Sequence, residues 1–425
     1  MGIERVALAV LASGVGLLSA SAQAAIAVPG FEGELKTQIE FRQDVYDHDS
    51  IPFDNYLKLD VKDLKGNSEL HFYGKLWKDL GYGTDWNVDL YQLYVEVPFD
   101  EKKNNLLTVG RQFISEGFET FVADAVRYQG RANNGLRYVF YLGKPRYFEP
   151  NSPSGDDFLG GFTFNYKGFF LGFEHLRHGG HVQKSAFAVG NFKYLNPKLS
   201  QFSRFEYDVA NGKWVSANLG FNYFPTRRLR TTTEFEYYNG SYTYYKNYYE
   251  NPIFHNFSPQ GRELRLTQSA YYDLTKGGEW QLFGNYSITD VQRSGKDTGH
   301  LLKVGLIRDR WFQEGLRAYG ALLYQNSWIG ILRGVEFGFT KYLCRKLTLV
   351  GTADVARYDK VTYGKQWANA FYLKGIYQTT EFSNLELGVD YRTNEDFNRD
   401  LRVIARFNYL FWGGSGRENR AEDRK

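Results

Sequence analysis

From Asp400 to Trp412 the side chains alternate in character with a period of two. Leu401, Val403, Ala405, Phe407, Tyr409 and Phe411 fall on one face, and Arg402, Arg406 and Asn408 on the other. That period belongs to a β-strand rather than a helix. The pattern recurs along almost the whole chain, as where Leu35, Thr37, Ile39 and Phe41 alternate with Glu34, Lys36, Gln38 and Glu40. No helical segment is available to cover so many apolar faces. Strands that are each half apolar can then be satisfied by closing into a ring, with apolar faces toward lipid and polar faces toward a watery lumen. The expected fold class is all-β: a transmembrane antiparallel up-and-down β-barrel of about 22 strands, within a range of roughly 18 to 22.

An even strand number fits the order of the connections, with longer polar loops after odd strands and tight turns after even ones. The tight turns carry turn chemistry at Tyr166-Lys167-Gly168, Asn196-Pro197, Pro225-Thr226 and Lys276-Gly277-Gly278. The longer loops are read at Gly143–Asp157, Asn239–Gly261, Asp290–Thr298 and Arg357–Gln366. Asp124–Arg131 is the least regular strand, and reading it as loop lowers the count. Aromatics cluster beside the tight turns at Tyr166, Tyr194, Tyr223, Phe224, Trp311, Phe312, Tyr342, Phe411 and Trp412. Rings in the headgroup layer with polar edges in water explain such a girdle. A soluble propeller needs a blade repeat, and no Trp-Asp or Gly-His repeat is present.

The apolar run Val6–Leu18 follows Arg5 and precedes Ala22-Gln23-Ala24, which suits a signal peptide cleaved near Ala24. The expected organisation is a signal peptide over 1–24, a barrel over 25–412 and a polar tail over 413–425. The lone Cys344 excludes an internal disulfide. A net charge of +4 on 425 residues does not suggest a nucleic-acid partner. A mean hydropathy of −0.49 beside 18% aromatics suits alternating strands, whose apolar faces vanish in a window average.

The last strand, ending Tyr409-Leu410-Phe411-Trp412, resembles the C-terminal signal strand of Gram-negative outer-membrane barrels. The resemblance implies an outer-membrane location, contact with outer-membrane lipid, and recognition of Phe407, Tyr409, Phe411 and Trp412 by the barrel-assembly machinery. Leu106-Leu107-Thr108-Val109-Gly110-Arg111-Gln112 and the residues after it resemble the strand and loop of porin-like proteins, including alginate-export and carbohydrate-type porins. That implies a channel.

Arg111, Glu116, Glu119, Asp124 and Arg127 bring both charge signs near the lumen, as a pore constriction would. Arg111 with a carboxylate could equally be a structural pair that pins the loop to the wall. The loop residues Tyr242, Tyr244, Tyr245, Tyr248 and Tyr249 suit stacking on sugars or a lid, and equally suit packing among outer loops. Lys58, Asp60 and Lys62, Arg228, Arg230, Glu234 and Glu236, and Glu386, Asp390 and Arg392 mix signs along the inner face. His175, His178 and His181 recur every three residues, but a strand period puts the first two on opposite faces. No metal, cofactor or catalytic site is therefore expected, and no nucleophile motif stands out.

The function expected is an outer-membrane porin for passive diffusion of small hydrophilic solutes or ions, not an enzyme. Strands begin within about ten residues of the cleavage site, which leaves no N-terminal plug. The rival is a barrel sheath around a partner such as a multihaem cytochrome. A homo-oligomer is compatible with either. Cell fractionation is expected to recover the mature chain in the outer membrane, and recovery as a soluble periplasmic protein would contradict the barrel reading.

Overall fold

The computed structural model describes residues 30–43, 49–83, 85–118, 120–146, 157–239, 262–292, 298–309, 315–327, 330–360, 364–393 and 399–413. Twenty-two long strands occupy nearly all of them. The first eight are β1 (Phe31–Gln43), β2 (Pro52–Leu64), β3 (Ser68–Asp79), β4 (Asn87–Pro98), β5 (Leu106–Ile114), β6 (Phe121–Arg131), β7 (Arg137–Arg146) and β8 (Phe158–Tyr166). Next come β9 (Phe169–His178), β10 (His181–Asn196), β11 (Leu199–Asp208), β12 (Lys213–Tyr223), β13 (Leu229–Asn239), β14 (Arg262–Asp273) and β15 (Trp280–Gln292). The chain ends with β16 (Thr298–Asp309), β17 (Leu316–Ser327), β18 (Gly330–Cys344), β19 (Leu347–Lys360), β20 (Gly364–Thr380), β21 (Ser383–Thr393) and β22 (Asp400–Gly413). A two-residue bridge, Asp49–Ser50, extends the β1–β2 hairpin.

Each strand pairs antiparallel with its neighbours in sequence, and β22 returns to pair with β1. That closing pair runs without a slip from Phe31↔Gly413 to Gln43↔Leu401. Closure leaves no unpaired strand edge, which lipid would not tolerate. Asp124–Arg131, the irregular stretch, lies inside β6 and is laddered to both β5 and β7. The reading of about 22 strands therefore holds at its upper bound.

Several loops are shorter than the sequence suggests. Gly143–Arg146, Asp290–Gln292, Arg357–Lys360 and Gly364–Gln366 continue their strands. The two longest connections, 147–157 and 240–261, follow the odd strands β7 and β13 and mark the outer rim. Connections 179–180 and 328–329 also follow odd strands but hold only two residues each. Length orients the barrel through its extremes rather than at every hairpin. Residues 1–29 and 414–425, and with them the signal peptide and most of the tail, lie outside the described residues, as do Trp311 and Phe312.

The outer face carries exposed apolar side chains, among them Val109, Val126, Leu142, Leu322, Leu373, Leu387 and Val403. So large a continuous apolar surface would be untenable in water and is natural against acyl chains. At the rim opposite the longest loops, Tyr166, Tyr194, Tyr223, Phe224 and Tyr342 are exposed beside short turns, as the girdle requires. Lys167 folds back over the Tyr166 ring at 5.1 Å, keeping its ammonium in the interface.

Phe407, Tyr409 and Phe411 share the outer face. Trp412 is one residue out of phase, so it turns to the inner face and packs edge-on against Phe382 at 4.2 Å. It therefore stands apart from Phe411 in the girdle. On the neighbouring β1, a Cβ at Gly33 would lie 2.4 Å from the Phe411 ring. The glycine leaves the groove that this ring fills across the seam. On the inner side of the same seam, Arg406 donates to Gln38 Oε1 at 3.0 and 2.8 Å and to Glu386 Oε2 at 3.3 Å.

Phe407 lies near the middle of the closing strand on the lipid side, and Ile404 lies on the watery side opposite Glu40. Phe407→Arg is expected to destabilise the barrel by about 2–4 kcal/mol, and Ile404→Arg by less than about 1 kcal/mol. Urea unfolding of the two variants in lipid vesicles measures the difference.

Candidate functional site

The inner wall is polar, and its charges are laddered between strands. Lys62 pairs Glu32 at 2.6 Å, Lys75 pairs Asp54 at 2.9 Å and Lys374 pairs Glu386 at 3.3 Å. Arg265 meets Glu236 of the neighbouring strand at 3.7 Å and Glu263 of its own at 2.5 Å, and Arg230 meets Asp273 at 3.6 Å. Arg392 pairs Asp390 within its own strand. The expected mixture of signs is present, organised as local ion pairs.

One sector of this wall is built differently. The β5–β6 loop folds inward. Glu116 accepts from Arg127 Nε at 2.7 Å, and Phe118 packs edge-on against Phe170 at 6.4 Å. The Lys184 ammonium and the Arg204 guanidinium lie against the face of the same ring, each at 5.6 Å. These partners come from β6, β9, β10 and β11, all on their lumen faces. Gly117 has φ of +85°, and a Cβ there would lie 2.8 Å from Phe170 and 3.0 Å from Arg204. Only glycine lets the backbone lie this close to the wall.

Beneath the loop is a buried charge network. Lys184 Nζ stands 2.9 Å from Glu174 Oε1 and 3.2 Å from Glu206 Oε1. Tyr141 donates to Glu174 Oε2 at 3.0 Å, and Arg204 adds a longer contact to Glu206 at 3.7 Å. Glu174 is only 1% exposed and Lys184 only 2%. Beside them Ile114, Phe121, Ala123, Leu159 and Leu176 form an apolar cluster under the loop ends. An inward loop thus rests on an apolar bed and a fully paired ionic floor. It narrows one side of the lumen.

The candidate constriction residues divide between the two faces. Arg127 and Glu116 are on the lumen side. Arg111 and Asp124 are not. Arg111 shares its face with the exposed Val109 and Phe113, and Asp124 shares its face with Val126. Arg111 opposes Asp124 and Arg127 opposes Thr108, three residues along, so the two arginines point to opposite sides of the wall. On the outer side Arg111 donates to Asp124 at 2.7 and 3.2 Å and to the Leu90 carbonyl at 3.2 Å. Arg146 donates to the same carboxylate at 2.6 Å. The pair joins strand to strand rather than loop to wall: it ties β4, β5, β6 and β7 together. The alternation Val109-Gly110-Arg111-Gln112-Phe113 already held this information. Glu119 lies outside the described residues, as do Tyr242, Tyr244, Tyr245, Tyr248 and Tyr249.

The three histidines of β9 and β10 do not converge. His175 Nδ1 meets Ser185 Oγ at 2.7 Å, and His178 Nδ1 meets Asp157 at 3.0 Å. His181 is the register partner of His178 at the hairpin tip and is exposed. A different group, Glu69, His71 and Glu96, is brought together on the inner wall near the periplasmic rim. No sequence motif announces it, because Glu96 reaches the others only through the β3–β4 register.

No known protein family and no curated protein matches this sequence. Solved structures do match in fold. The chain is similar to the siderophore receptor PirA from Pseudomonas aeruginosa, with 12% identity over 90% of this chain and 80% of that one, at a TM-score of 0.55. It is similar to the ferric enterobactin receptor PfeA, with 11% identity over 92% of this chain and 82% of that one, at 0.57. A weaker likeness, with a TM-score of 0.45 and 10% identity, covers 92% of this chain and all of Pseudomonas aeruginosa OccK5. The fold is that of an outer-membrane β-barrel. At these identities the likeness is one of fold alone.

Lys184 stands between two buried carboxylates. Lys184→Met leaves Glu174 without a cation and Glu206 with only the longer contact to Arg204, and is expected to destabilise the barrel by about 3–5 kcal/mol. Arg127→Ala, at the better-solvated loop edge, should cost less. Loss of the heat-resistant folded band on gels, followed against urea, ranks the two.

Proposed function

We propose that the protein is a passive channel for small hydrophilic solutes or ions. The observation that carries this reading is the inner wall: polar, ion-paired and narrowed by a loop held on its own buried network. Wide barrels of 22 strands acting as transporters carry a plug in the lumen. Among the described residues, what lies against the inner wall is the short segment around Glu116–Phe118. Because most wall charges are paired with neighbours, their fields cancel within a few ångströms, which supports weak rather than strict ion selectivity. Arg127 with Glu116 lies at the loop, where solute would pass nearest to fixed charge.

Purified barrel in planar bilayers is expected to give ohmic conductance steps with no energy source. Arg127→Ala leaves Glu116 uncompensated, so the reversal potential should move toward cation preference. That shift should shrink with salt, as the Debye length falls from about 10 Å at 0.1 M to about 3 Å at 1 M. Arg111→Ala, on the lipid side, should leave selectivity unchanged. A folded barrel that never conducts alone would overturn the channel and favour a sheath filled by a partner.

A further inference from the structure

We propose that Glu69, His71 and Glu96 form a binding site for a single divalent transition-metal ion, zinc being the best match, on the inner wall near the periplasmic rim. The site follows from register. Glu69 and His71 are alternate residues of β3 and so share its lumen face, and Glu96 of β4 lies directly opposite Glu69. His71 Nε2 is 3.7 Å from Glu69 Oε2 and 3.8 Å from Glu96 Oε2, and the three ligand atoms all lie within 4.8 Å of one another.

The ring is held for this task from its other side. His71 Nδ1 meets Asp60 Oδ1 at 2.6 Å, and the ring stacks on Tyr94 at 4.6 Å between centroids. A carboxylate on one imidazole nitrogen is the usual partner of a histidine that ligates metal through the other. Nε2 itself has no surface open to solvent and no hydrogen-bond partner. A ring N–H donating to carboxylate closes to about 2.7–2.9 Å. At 3.7 and 3.8 Å neither glutamate is that close. Ligands at about 2.0–2.2 Å from a tetrahedral ion stand roughly 3.4 Å apart, so each histidine–glutamate separation needs to close by only a few tenths of an ångström, while the two carboxylates, within 4.8 Å of each other, swing together by side-chain rotation. Glu69 engages the Lys103 ammonium through Oε1, leaving Oε2 toward the histidine.

One imidazole and two carboxylates suit zinc, with water completing the coordination. The full chain, purified in detergent and stripped with chelator, is titrated with Zn²⁺ against a zinc-indicator dye. Saturable binding of one ion per barrel is expected. Glu96→Gln, which keeps shape and removes charge, and His71→Ala should each weaken it by about tenfold or more, and Asp60→Asn by about tenfold. His175→Ala, on the outer face, should change nothing. Absence of saturable binding to folded barrel, or binding that survives both His71→Ala and Glu96→Gln, would overturn the site. Should His71→Ala fail to fold, Glu96→Gln decides alone. Neither result depends on whether the barrel conducts.

Discussion

The pairing of β22 with β1 is the interaction on which everything else depends. Lipid offers no partner for a backbone amide, so a strand edge left open there would strand a row of donors and acceptors. The chain meets this demand with one continuous ladder, from Phe31 opposite Gly413 to Gln43 opposite Leu401. The ends of the barrel are far apart in sequence and adjacent in space. Side chains reinforce the seam on both faces. The Phe411 ring fills the groove over Gly33 outside, and Arg406 bridges to Gln38 and Glu386 inside.

Closure makes alternation a sorting device. Every odd step sends a side chain to lipid and every even step sends one to water, or the reverse, around the whole ring. The inner wall can therefore hold many charges, provided that they are paired. It does so in two ways. Pairs such as Lys62–Glu32 and Lys374–Glu386 lie between neighbouring strands in partial contact with the lumen. The Glu174–Lys184–Glu206 group is fully withdrawn from water and tolerable only because each charge has a partner. The two environments differ because a loop covers the second.

That loop links the architecture to the proposed function. Gly117 removes the side chain that would hold the backbone off the wall, Phe118 lays its ring face on two cations, and Glu116 is clasped by Arg127. The result is a lateral narrowing anchored at several points. The outer-face cluster of Arg111, Asp124 and Arg146 braces the same strands from the lipid side. One short stretch of sequence thus supplies both the narrowing and its brace. The Glu69–His71–Glu96 group lies closer to the periplasmic rim and is a separate device built by strand register.

The class of fold, the approximate strand number and the existence of two chemically distinct faces are legible in the order of residues alone. All three follow from local periodicity, and each strand shows that period whatever its neighbours do. The same order makes Arg111, Glu116, Asp124 and Arg127 stand out as a charged group. How that group divides emerges only in the folded barrel. The outer or inner position of Arg111 could be read from Val109 and Phe113 beside it, but its binding to Asp124 and Arg146 requires the register of three strands. Nothing local reveals that Phe118 turns inward, that Lys184 is buried between two glutamates, or that Glu96 meets His71. Those contacts join residues on different strands, and ladder register, loop path and barrel curvature arise only when the ring is closed.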